Sequence, residues 1–247
     1  MTGVRPDVSL IVPAYNEAER LPGRLRALGE FVATRSWRLE VLVVDDGSAD
    51  RTAAAAAAES TAALKVRVVS LGVNRGKGAA VKRGVAEAGG GCVAFVDADH
   101  PYAFDAFDLA LDRLSGGADV VIGGRDLPGS RVPDDYDRMR ALSTRVYSVV
   151  ANRLAVRGIP DTQCGFKWFR AAVAKPLFER VTLTGFAFDV ELLALAQRWA
   201  LRIDRIPVEL THFHGSKVRL ARDAPRMFWD LLTINRRLSH GLYDRPH

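Results

Sequence analysis

Residues 92–99 read Cys-Val-Ala-Phe-Val-Asp-Ala-Asp, an apolar run that ends in two aspartates separated by one alanine. A short apolar run of this kind, followed by a polar loop, is typical of a buried strand. Alternate side chains of an extended chain lie on the same side, so Asp97 and Asp99 are predicted to flank Ala98 together. Carboxylate oxygens at this spacing suit Mg²⁺ or Mn²⁺, which proteins hold through one or two carboxylates and substrate phosphates.

The segments around this strand alternate between strand and helix patterns. Strands are predicted at residues 8–12, 39–44, 66–71, 92–96 and from 119 to 122. Helices are predicted at residues 17–33, 50–63, 76–88 and 104–114, with Ser48 as the N-cap of the second helix. This order predicts an α/β fold with a Rossmann-like, mostly parallel sheet that has helices on both faces.

Polar loops follow the first four strands, and ligands of such sheets bind where the strands end. Asp45 and Asp46 are adjacent and repel each other. A base or ribose hydrogen-bonded to one of them would account for the pair. The alternative is an ordinary turn, which Asp and Gly also favour. Residues 74–78, Asn-Arg-Gly-Lys-Gly, open a helix whose N-terminus and Lys77 favour an anion. The sequence therefore predicts one ligand site at the end of the sheet.

The second half of the chain is basic. Residues 1–130 carry 15 Lys/Arg and 17 Asp/Glu, whereas residues 131–247 carry 20 Lys/Arg and 12 Asp/Glu, a net charge of +8. This half is expected to face an anionic partner such as a phosphate substrate or acidic lipid. A nucleic acid is not expected, because no binding motif appears and the basic residues are not interleaved with exposed aromatics.

Two basic amphipathic helices are predicted at residues 139–154 and 220–231. Such helices either lie in a membrane interface or pack on a protein core, and the sequence leaves both interpretations open. No apolar stretch has the length of a membrane span or a signal peptide core. The separate, apolar surroundings of Cys92 and Cys164 predict free buried thiols in a reducing compartment.

Several motifs together resemble a known family. Residues 13–17, 43–48, 74–78 and 97–99 match, in order and spacing, the nucleotide-sugar half of family 2 inverting glycosyltransferases with the GT-A fold. Residues 161–167, 188–191 and 215–218 are similar to one branch of that family, the dolichyl-phosphate (polyprenyl-phosphate) β-glucosyltransferases. The resemblance extends over residues 8 to 235.

The resemblance implies a UDP-sugar donor, a polyprenyl phosphate acceptor, and Mg²⁺ or Mn²⁺ as the cofactor. The implied donor-binding residues are Pro13, Ala14, Tyr15, Glu17, Asp46, Gly76, Lys77, Asp97 and Ala98. The implied catalytic residues are Asp99, Asp161, Gln163, Lys167 and Asp189, and the candidates for the acceptor phosphate are Arg125, Arg131 and Arg140. For each arginine the alternative is a surface salt bridge.

The sequence also departs from the family pattern. Mannose-transferring relatives often have a polar metal ligand two residues past the second aspartate, where this chain has Pro101. His214 is therefore a candidate third ligand beside Asp97 and Asp99, although it is equally interpreted as a surface histidine. Many eukaryotic relatives carry a membrane span, so attachment is expected through the protein surface or a membrane-protein partner, on the cytoplasmic face of the membrane.

These observations predict one glycosyltransferase domain over residues 1–247, with a nucleotide-sugar half at 1–130 and an acceptor half at 131–247 that includes a C-terminal amphipathic helical extension. The predicted activity is inverting transfer of a hexose, expected to be glucose. Two alternatives stay open: the same fold using GDP-mannose or a soluble acceptor, and a catalytically silent lipid-binding scaffold.

Overall fold

The computed structural model describes residues 5–99, 102–131, 138–210 and 220–245. Within them, strands and helices follow one another in the order β1 (Val8–Ala14), α1 (Leu21–Val32), β2 (Leu39–Asp45), α2 (Thr52–Ala57), β3 (Lys65–Ser70), α3 (Lys77–Glu87), β4 (Cys92–Val96), α4 (Asp105–Ser115), β5 (Val120–Gly124), α5 (Arg138–Leu154), β6 (Phe166–Arg170), α6 (Ala171–Arg180), α7 (Phe188–Arg198), β7 (Ile203–Pro207) and α8 (Leu220–Ser239). The α/β class and the mostly parallel sheet predicted from the sequence are confirmed.

The chain forms two compact units with interleaved segments. The first unit consists of residues 1–100 and 165–178, and the second consists of residues 101–164 and 179–247. The predicted division of function at residue 130 stays a prediction.

The first unit is built on strands in the order β3-β2-β1-β4-β6. β1 is parallel to both β2 and β4, β2 is parallel to β3, and β6 runs antiparallel to β4. Nearly every residue of β1 and β2 is buried, which is typical of central strands covered on both faces. Helix α3 packs on β1 and β2, and α2 packs on β3.

The second unit contains a parallel pair of strands, β5 and β7, on which α4 packs. Helix α8 packs on both α5 and α7 within the same unit. Buried Glu191 of α7 joins these helices, because its carboxylate accepts hydrogen bonds from Arg237 Nη1 (3.1 Å) and from Tyr243 Oη (2.6 Å) near the chain end. No helix in the described parts of the chain is both long enough and apolar enough to cross a membrane.

The predicted N-cap of α2 is wrong. The helix begins at Thr52, and the backbone N–H of Thr52 donates to Asp50 Oδ1 at 2.9 Å. Ser48 Oγ instead accepts a hydrogen bond from the backbone N–H of Asn16 at 2.9 Å. The helix is also shorter than predicted, because the chain turns after Ala58, where Thr61 N donates to Leu64 O.

Strand β6 is the main feature that the sequence pattern did not predict. It consists of Phe166–Arg170 and contains a fully buried lysine, Lys167, which breaks the expected apolar run. The antiparallel register pairs Phe166 with Val96 and Lys167 with Phe95. A segment that the sequence marked only as a motif is therefore a strand of the first unit, next to β4.

Candidate active site

The ends of three parallel strands bring the predicted polar loops of the first unit together. Ala14 at the end of β1 is paired with Asp45 at the end of β2, and Ile11 of β1 is paired with Phe95 of β4. The backbone N–H of Asp46 donates to Ala14 O at 2.9 Å, so the first two loops leave the sheet side by side. The expectation that these loops meet at one edge of the sheet is confirmed.

The loop after β1 is held by the loop after β2. The backbone N–H of Ala49 donates to Asn16 Oδ1 at 2.8 Å, and the backbone N–H of Glu17 donates to Thr52 Oγ1 at 2.8 Å. Asn16 adopts a left-handed conformation with φ of 52°, which asparagine tolerates better than most residues. These contacts fix Tyr15, whose side chain is 38% exposed at the edge of the sheet.

Glu17 lies at the start of this loop with its carboxylate buried. It accepts two hydrogen bonds from the guanidinium of Arg20, each at 2.9 Å. A cavity of about 450 Å³ opens beside this ion pair and is lined by Asn16, Glu17, Ala18, Glu19, Arg20, Asp50 and Arg51. Its size is within the range of small-molecule sites, although most of its lining residues are charged.

Asp46 organises the loop that precedes α3. Its carboxylate accepts hydrogen bonds from the backbone N–H groups of Arg75 (2.7 Å) and Gly76 (2.9 Å). Burial raises the pKa of Asp46, although these two hydrogen bonds act in the opposite direction. Gly76 has φ of 98° and precedes α3, which has no side-chain cap, and a helix N-terminus of this kind favours an anion.

Lys77, the first residue of α3, reaches across to the end of β4. Its Nζ atom lies 2.6 Å from Asp97 Oδ1, and the lysine side chain is only 15% exposed. This ion pair places one cation and one carboxylate of the predicted donor site in direct contact. The ion pair is partly exposed, because the Asp97 side chain is 34% exposed.

Asp99 is half-buried, and one of its two carboxylate oxygens is fully buried. This oxygen, Oδ1, has no hydrogen-bond partner among the described residues. Burial, and then repulsion from Asp97 and Glu17, raises the pKa of Asp99 to about 6. A half-buried carboxylate that repels two neighbouring carboxylates and leaves one oxygen unbonded is a feature that folding alone does not favour.

These features fit a divalent cation. A cation bound by Asp97 and Asp99 would compensate their repulsion and bind the unpaired oxygen of Asp99, and both ligands are the hard oxygen donors that Mg²⁺ and Mn²⁺ prefer. Among the described residues, no cluster of three or more His, Cys, Asp or Glu side chains is placed to hold a metal ion. The predicted third ligand, His214, lies outside the described residues.

Lys167 lies in β6 opposite Phe95 and is fully buried. Its Nζ atom is 5.5 Å from the centre of the Phe95 ring, and Lys77 Nζ is 5.9 Å from the same ring. Both distances are in the range of cation–π contacts. The first unit therefore places two lysines around one aromatic ring, two residues before Asp97.

Arg125 and Asp161 form a buried ion pair in the second unit. Arg125 Nε donates to Asp161 Oδ2 at 2.8 Å and Nη2 donates to Oδ1 at 2.7 Å, while the backbone N–H of Arg125 adds a third bond at 3.1 Å. Burial disfavours the charged guanidinium, but the hydrogen bonds and the charge of Asp161 outweigh this effect and raise the pKa of Arg125. Arg125 was predicted to bind the acceptor phosphate and Asp161 to be catalytic, and in this structure their charges neutralise each other.

Asp189 of α7 is also buried in the second unit. Burial, followed by the negative charges of Asp189 and Asp230, raises the pKa of Tyr147 in α5, whose hydroxyl has no hydrogen-bond partner in the described part of the chain. Buried Gln163 Nε2 is likewise without a partner among these residues. Sequence reasoning did not predict Tyr147, because a tyrosine in an amphipathic helix has no distinctive local pattern.

The three candidate phosphate-binding arginines differ in their surroundings. Arg131 is exposed, and its guanidinium lies 3.9 Å from Glu209 in the same unit. Arg140 belongs to α5, but its side chain lies outside the described residues. Of the two arginines whose side chains are described, Arg125 has the better defined, partly buried hydrogen bonds, and these are to Asp161.

A family model for glycosyl transferase family 2 matches residues 9–178, more than half of the 247 residues. The chain belongs to this family and is a glycosyltransferase. It is 36% identical to the dolichyl-phosphate beta-glucosyltransferase of Drosophila melanogaster, covering 94% of this chain and 73% of that protein. It is 34% identical to the protein of the same name from Dictyostelium discoideum, covering 96% of this chain and 76% of that protein.

The fold is also found in solved structures of other enzymes. One of them is glucosyl-3-phosphoglycerate synthase from Mycobacterium tuberculosis, crystallised with Mn²⁺, UDP-glucose and phosphoglyceric acid, with a TM-score of 0.67 and 18% sequence identity. The match covers 94% of this chain and 80% of that one. At this identity the likeness concerns the fold, and it confirms the GT-A architecture predicted from the sequence.

Proposed function

We propose that this glycosyltransferase moves glucose from UDP-glucose to a polyprenyl phosphate of the dolichyl type, with inversion at the anomeric carbon. The observation that carries the proposal is the half-buried Asp99 carboxylate beside the Lys77–Asp97 ion pair, at the sheet edge that also holds the Asp46 loop. The names of the relatives, dolichyl-phosphate beta-glucosyltransferases at 34% and 36% identity, support the choice of sugar and acceptor.

In this proposal the donor binds in the first unit. Tyr15 offers an exposed ring for the base, and Pro13, Ala14, Glu17 and Asp46 line the base and ribose pocket. The N-terminus of α3, together with Lys77, attracts the diphosphate. Ala98 lies between the two aspartates, where its small side chain leaves room for the donor.

Asp97 and Asp99 would hold Mg²⁺ or Mn²⁺, and the ion would supply positive charge to the leaving diphosphate. The unbonded carboxylate oxygen of Asp99 supports its role as a ligand. Lys77 contacts Asp97 and is adjacent to the diphosphate, so it carries a second positive charge to the same group. As the bond between the anomeric carbon and UDP breaks, the bonding electron pair leaves with UDP, and these charges stabilise it.

The acceptor phosphate oxygen attacks the anomeric carbon from the opposite face and forms the new bond. This nucleophile is already an anion at neutral pH, so the reaction requires positioning more than a general base. We assign Gln163, Lys167 and the Arg125–Asp161 pair to the sugar and acceptor phosphate, with Arg131 and Arg140 as further cations. If the acceptor were a sugar hydroxyl, Asp189 or Asp161 would be the candidate base.

The proposed acceptor is a membrane lipid, so the proposed location is the cytoplasmic face of a membrane, with peripheral attachment through the protein surface or a membrane-protein partner. The excess of 20 Lys/Arg over 12 Asp/Glu in residues 131–247 supports an anionic partner for this half.

The test is incubation of the purified protein with radiolabelled UDP-glucose or GDP-mannose and a detergent-dispersed polyprenyl phosphate, followed by extraction into organic solvent. We expect radiolabel from UDP-glucose in the organic phase with Mn²⁺ or Mg²⁺, and none in the presence of EDTA. Asp99→Ala is expected to remain folded and to abolish this transfer.

Several outcomes would contradict the proposal. Label transferred only from GDP-mannose would identify a mannosyltransferase, and label transferred only to a water-soluble acceptor would exclude the polyprenyl phosphate. Full transfer in EDTA, or in Asp99→Ala, would exclude the metal role of the aspartate pair. If no radiolabelled product forms in the organic or the aqueous phase while UDP binding is intact, the catalytically silent scaffold would be favoured.

A further inference from the structure

Helix α8 presents apolar side chains on its solvent-facing side. Phe228, Trp229 and Leu232 are 47%, 69% and 37% exposed, whereas Leu231 and Ile234 of the same helix are fully buried. At 3.6 residues per turn, residues 228, 229 and 232 share one face, Ile234 lies on the opposite side, and Leu231 lies beside Phe228 at the edge of the buried side. Leu231 and Ile234 thus anchor α8 to its own unit, while a second apolar face points away from it.

Exposed apolar residues are ordinary when they are scattered singly, but three large ones on adjacent turns form a patch that usually binds something. Two of the three are aromatic, and a tryptophan that is 69% exposed gains little from the fold of the chain. We call Phe228, Trp229 and Leu232 the apolar face of α8.

The charges beside this face are positive. Arg226 and Arg236 of α8 are exposed, and Arg237 is already bonded to Glu191. Asp230, the one acidic residue of α8 whose side chain is described, is half-buried. The apolar face is therefore bordered by exposed arginines at the turn before it and the turn after it, and Arg226 is close enough to Asp230 to interact with its charge.

Helix α5, which packs against α8, shows the same combination. Val146 and Val149 are 57% and 56% exposed, and Arg145 and Arg153 are exposed on the same side of the helix. The sequence of α5 contains no aspartate or glutamate. Two neighbouring helices thus each combine exposed apolar side chains with exposed arginines.

This composition selects one kind of partner. A helix with large apolar residues on one face and arginines beside it lies in the headgroup region of a bilayer, with its apolar face in the acyl boundary. Anionic headgroups compensate the arginines. A second copy of the chain would instead bring arginines of one copy against arginines of the other, which disfavours pairing.

We propose that the apolar face of α8, with Arg226 and Arg236, binds the surface of an anionic lipid bilayer. The inference rests on the proposed function in one respect, because a bilayer surface is where a polyprenyl phosphate acceptor is found. The inference adds the residues that contact the bilayer, and all of these residues belong to the second unit.

The test measures binding of the full chain to sedimented vesicles, made of phosphatidylcholine alone or with phosphatidylglycerol. We expect binding to the anionic vesicles, weakened by added salt. Replacing the apolar face (Phe228→Ser, Trp229→Ser, Leu232→Ser) should weaken binding by roughly tenfold or more. Replacing the charges (Arg226→Glu, Arg236→Glu) should also weaken it by roughly tenfold or more.

Matched controls come from the first unit. Val73 is 59% exposed and Lys65 is exposed, so Val73→Ser and Lys65→Glu change an apolar and a cationic surface residue elsewhere, and both should keep wild-type vesicle binding. The replaced side chains of α8 are all exposed, so each variant is expected to keep the wild-type melting temperature.

Unchanged vesicle binding in both α8 variants, or equal loss in the controls, would overturn the proposal. A wild-type dimer in sedimentation velocity that the apolar variant converts to a monomer, without vesicle binding, would assign the face to self-association instead. Failure of the proposed function can be distinguished from failure of this inference. In detergent, the wild type and both α8 variants should transfer glucose equally. If none of them transfers glucose while vesicle binding is intact, the proposed activity is refuted and the membrane contact is not.

Discussion

Gly165 packs directly against the carboxylate of Asp97. A Cβ atom at residue 165 would lie 2.6 Å from Asp97 Cγ, closer than carbon atoms approach in folded proteins. The contact follows from the antiparallel register of β6 on β4, in which Phe166 is paired with Val96, so the preceding glycine lies opposite the following aspartate. Only a residue without a side chain leaves Asp97 where Lys77 reaches it.

Gly165→Ala is therefore expected to displace the Asp97 carboxylate without straining its own backbone, since Gly165 is not among the residues with positive φ. We expect Mn²⁺-dependent UDP binding, measured by calorimetry, to weaken by roughly tenfold or more, as when a group that orients a metal ligand is changed. The melting temperature should change little, because the aspartate is partly exposed and can move.

Two other glycines serve as controls for this variant. Gly185→Ala meets no atom within 4 Å and should keep wild-type binding and stability. Gly84→Ala would place its Cβ 2.5 Å from Ile11 in the core, so it should lower stability and leave the affinity of the folded protein for UDP unchanged. Wild-type UDP binding in Gly165→Ala would show that this contact does not position Asp97.

Asp46→Asn tests the loop before α3. The carboxylate accepts from two backbone N–H groups, and an amide has one oxygen to offer them. We expect faster hydrogen exchange at Arg75 and Gly76 and a loss of roughly tenfold in UDP affinity, because a charge-assisted hydrogen bond contributes about 1.5–3 kcal/mol.

The neighbouring Asp45→Asn is the matched control. Asp45 Oδ1 accepts one hydrogen bond, from the backbone N–H of Ser48 at 3.1 Å, and an amide oxygen can accept it equally. Exchange at residues 75 and 76 should therefore stay slow in Asp45→Asn. Equal exchange in the two variants would mean that the Asp46 carboxylate does not order this loop.

The stability of the metal-free protein should depend on pH through Asp99. The pKa of Asp99 is raised to about 6 in the folded chain, from 3.8, so the folded state binds this proton more tightly than the unfolded state. That contribution is fully present below pH 4 and is lost as the pH rises through about 6. The loss is on the order of 2 kcal/mol.

Asp99→Asn removes this ionisation and should be more stable than the wild type at pH 7.5 without metal, by a similar amount. Urea unfolding of both proteins between pH 4 and pH 7.5 measures the difference. The two curves should converge at low pH and separate as the pH rises, and Mn²⁺ should stabilise only the wild type. Curves that stay parallel would contradict the burial of an ionised Asp99.

The Arg125–Asp161 pair should contribute to stability. Removing one partner, as in Arg125→Met or Asp161→Leu, leaves a buried charge and is expected to lower the free energy of unfolding by about 3–5 kcal/mol. The double variant should lose much less than the sum of the two, because no charge is then left alone. Urea unfolding measures all three.

The exposed Arg83–Glu87 pair of α3, with an Nη2–Oε1 distance of 2.9 Å, is the control. Arg83→Gln, which leaves the Arg67–Glu87 pair in place, should change the free energy of unfolding by less than about 1 kcal/mol, as is usual for surface ion pairs. If Asp161→Leu retained wild-type stability and lost transfer, the structural role would be excluded and the catalytic assignment of Asp161 supported.

The sequence by itself determined the alternation of strands and helices, the mostly parallel sheet, and the polar loops at the strand ends. Each of these depends on residues close together in the chain: apolar runs for strands, helical spacing for α1, α3 and α4, and the aspartates that directly follow β4. Helix α5 was predicted within one residue for the same reason. The family motifs added a site that periodicity alone does not define.

The tertiary structure decided what joins distant segments. The segment around Lys167 is an antiparallel strand, and Gly165 packs against Asp97. Ser48 accepts a hydrogen bond from Asn16 instead of capping a helix. The Asp46 carboxylate accepts hydrogen bonds from the backbone at residues 75 and 76. Such pairings depend on strand register and on the path of the chain between the partners. No local sequence pattern predicts these pairings, because the same side chains are compatible with several strand registers. The register is determined only when all strands of the sheet pair together.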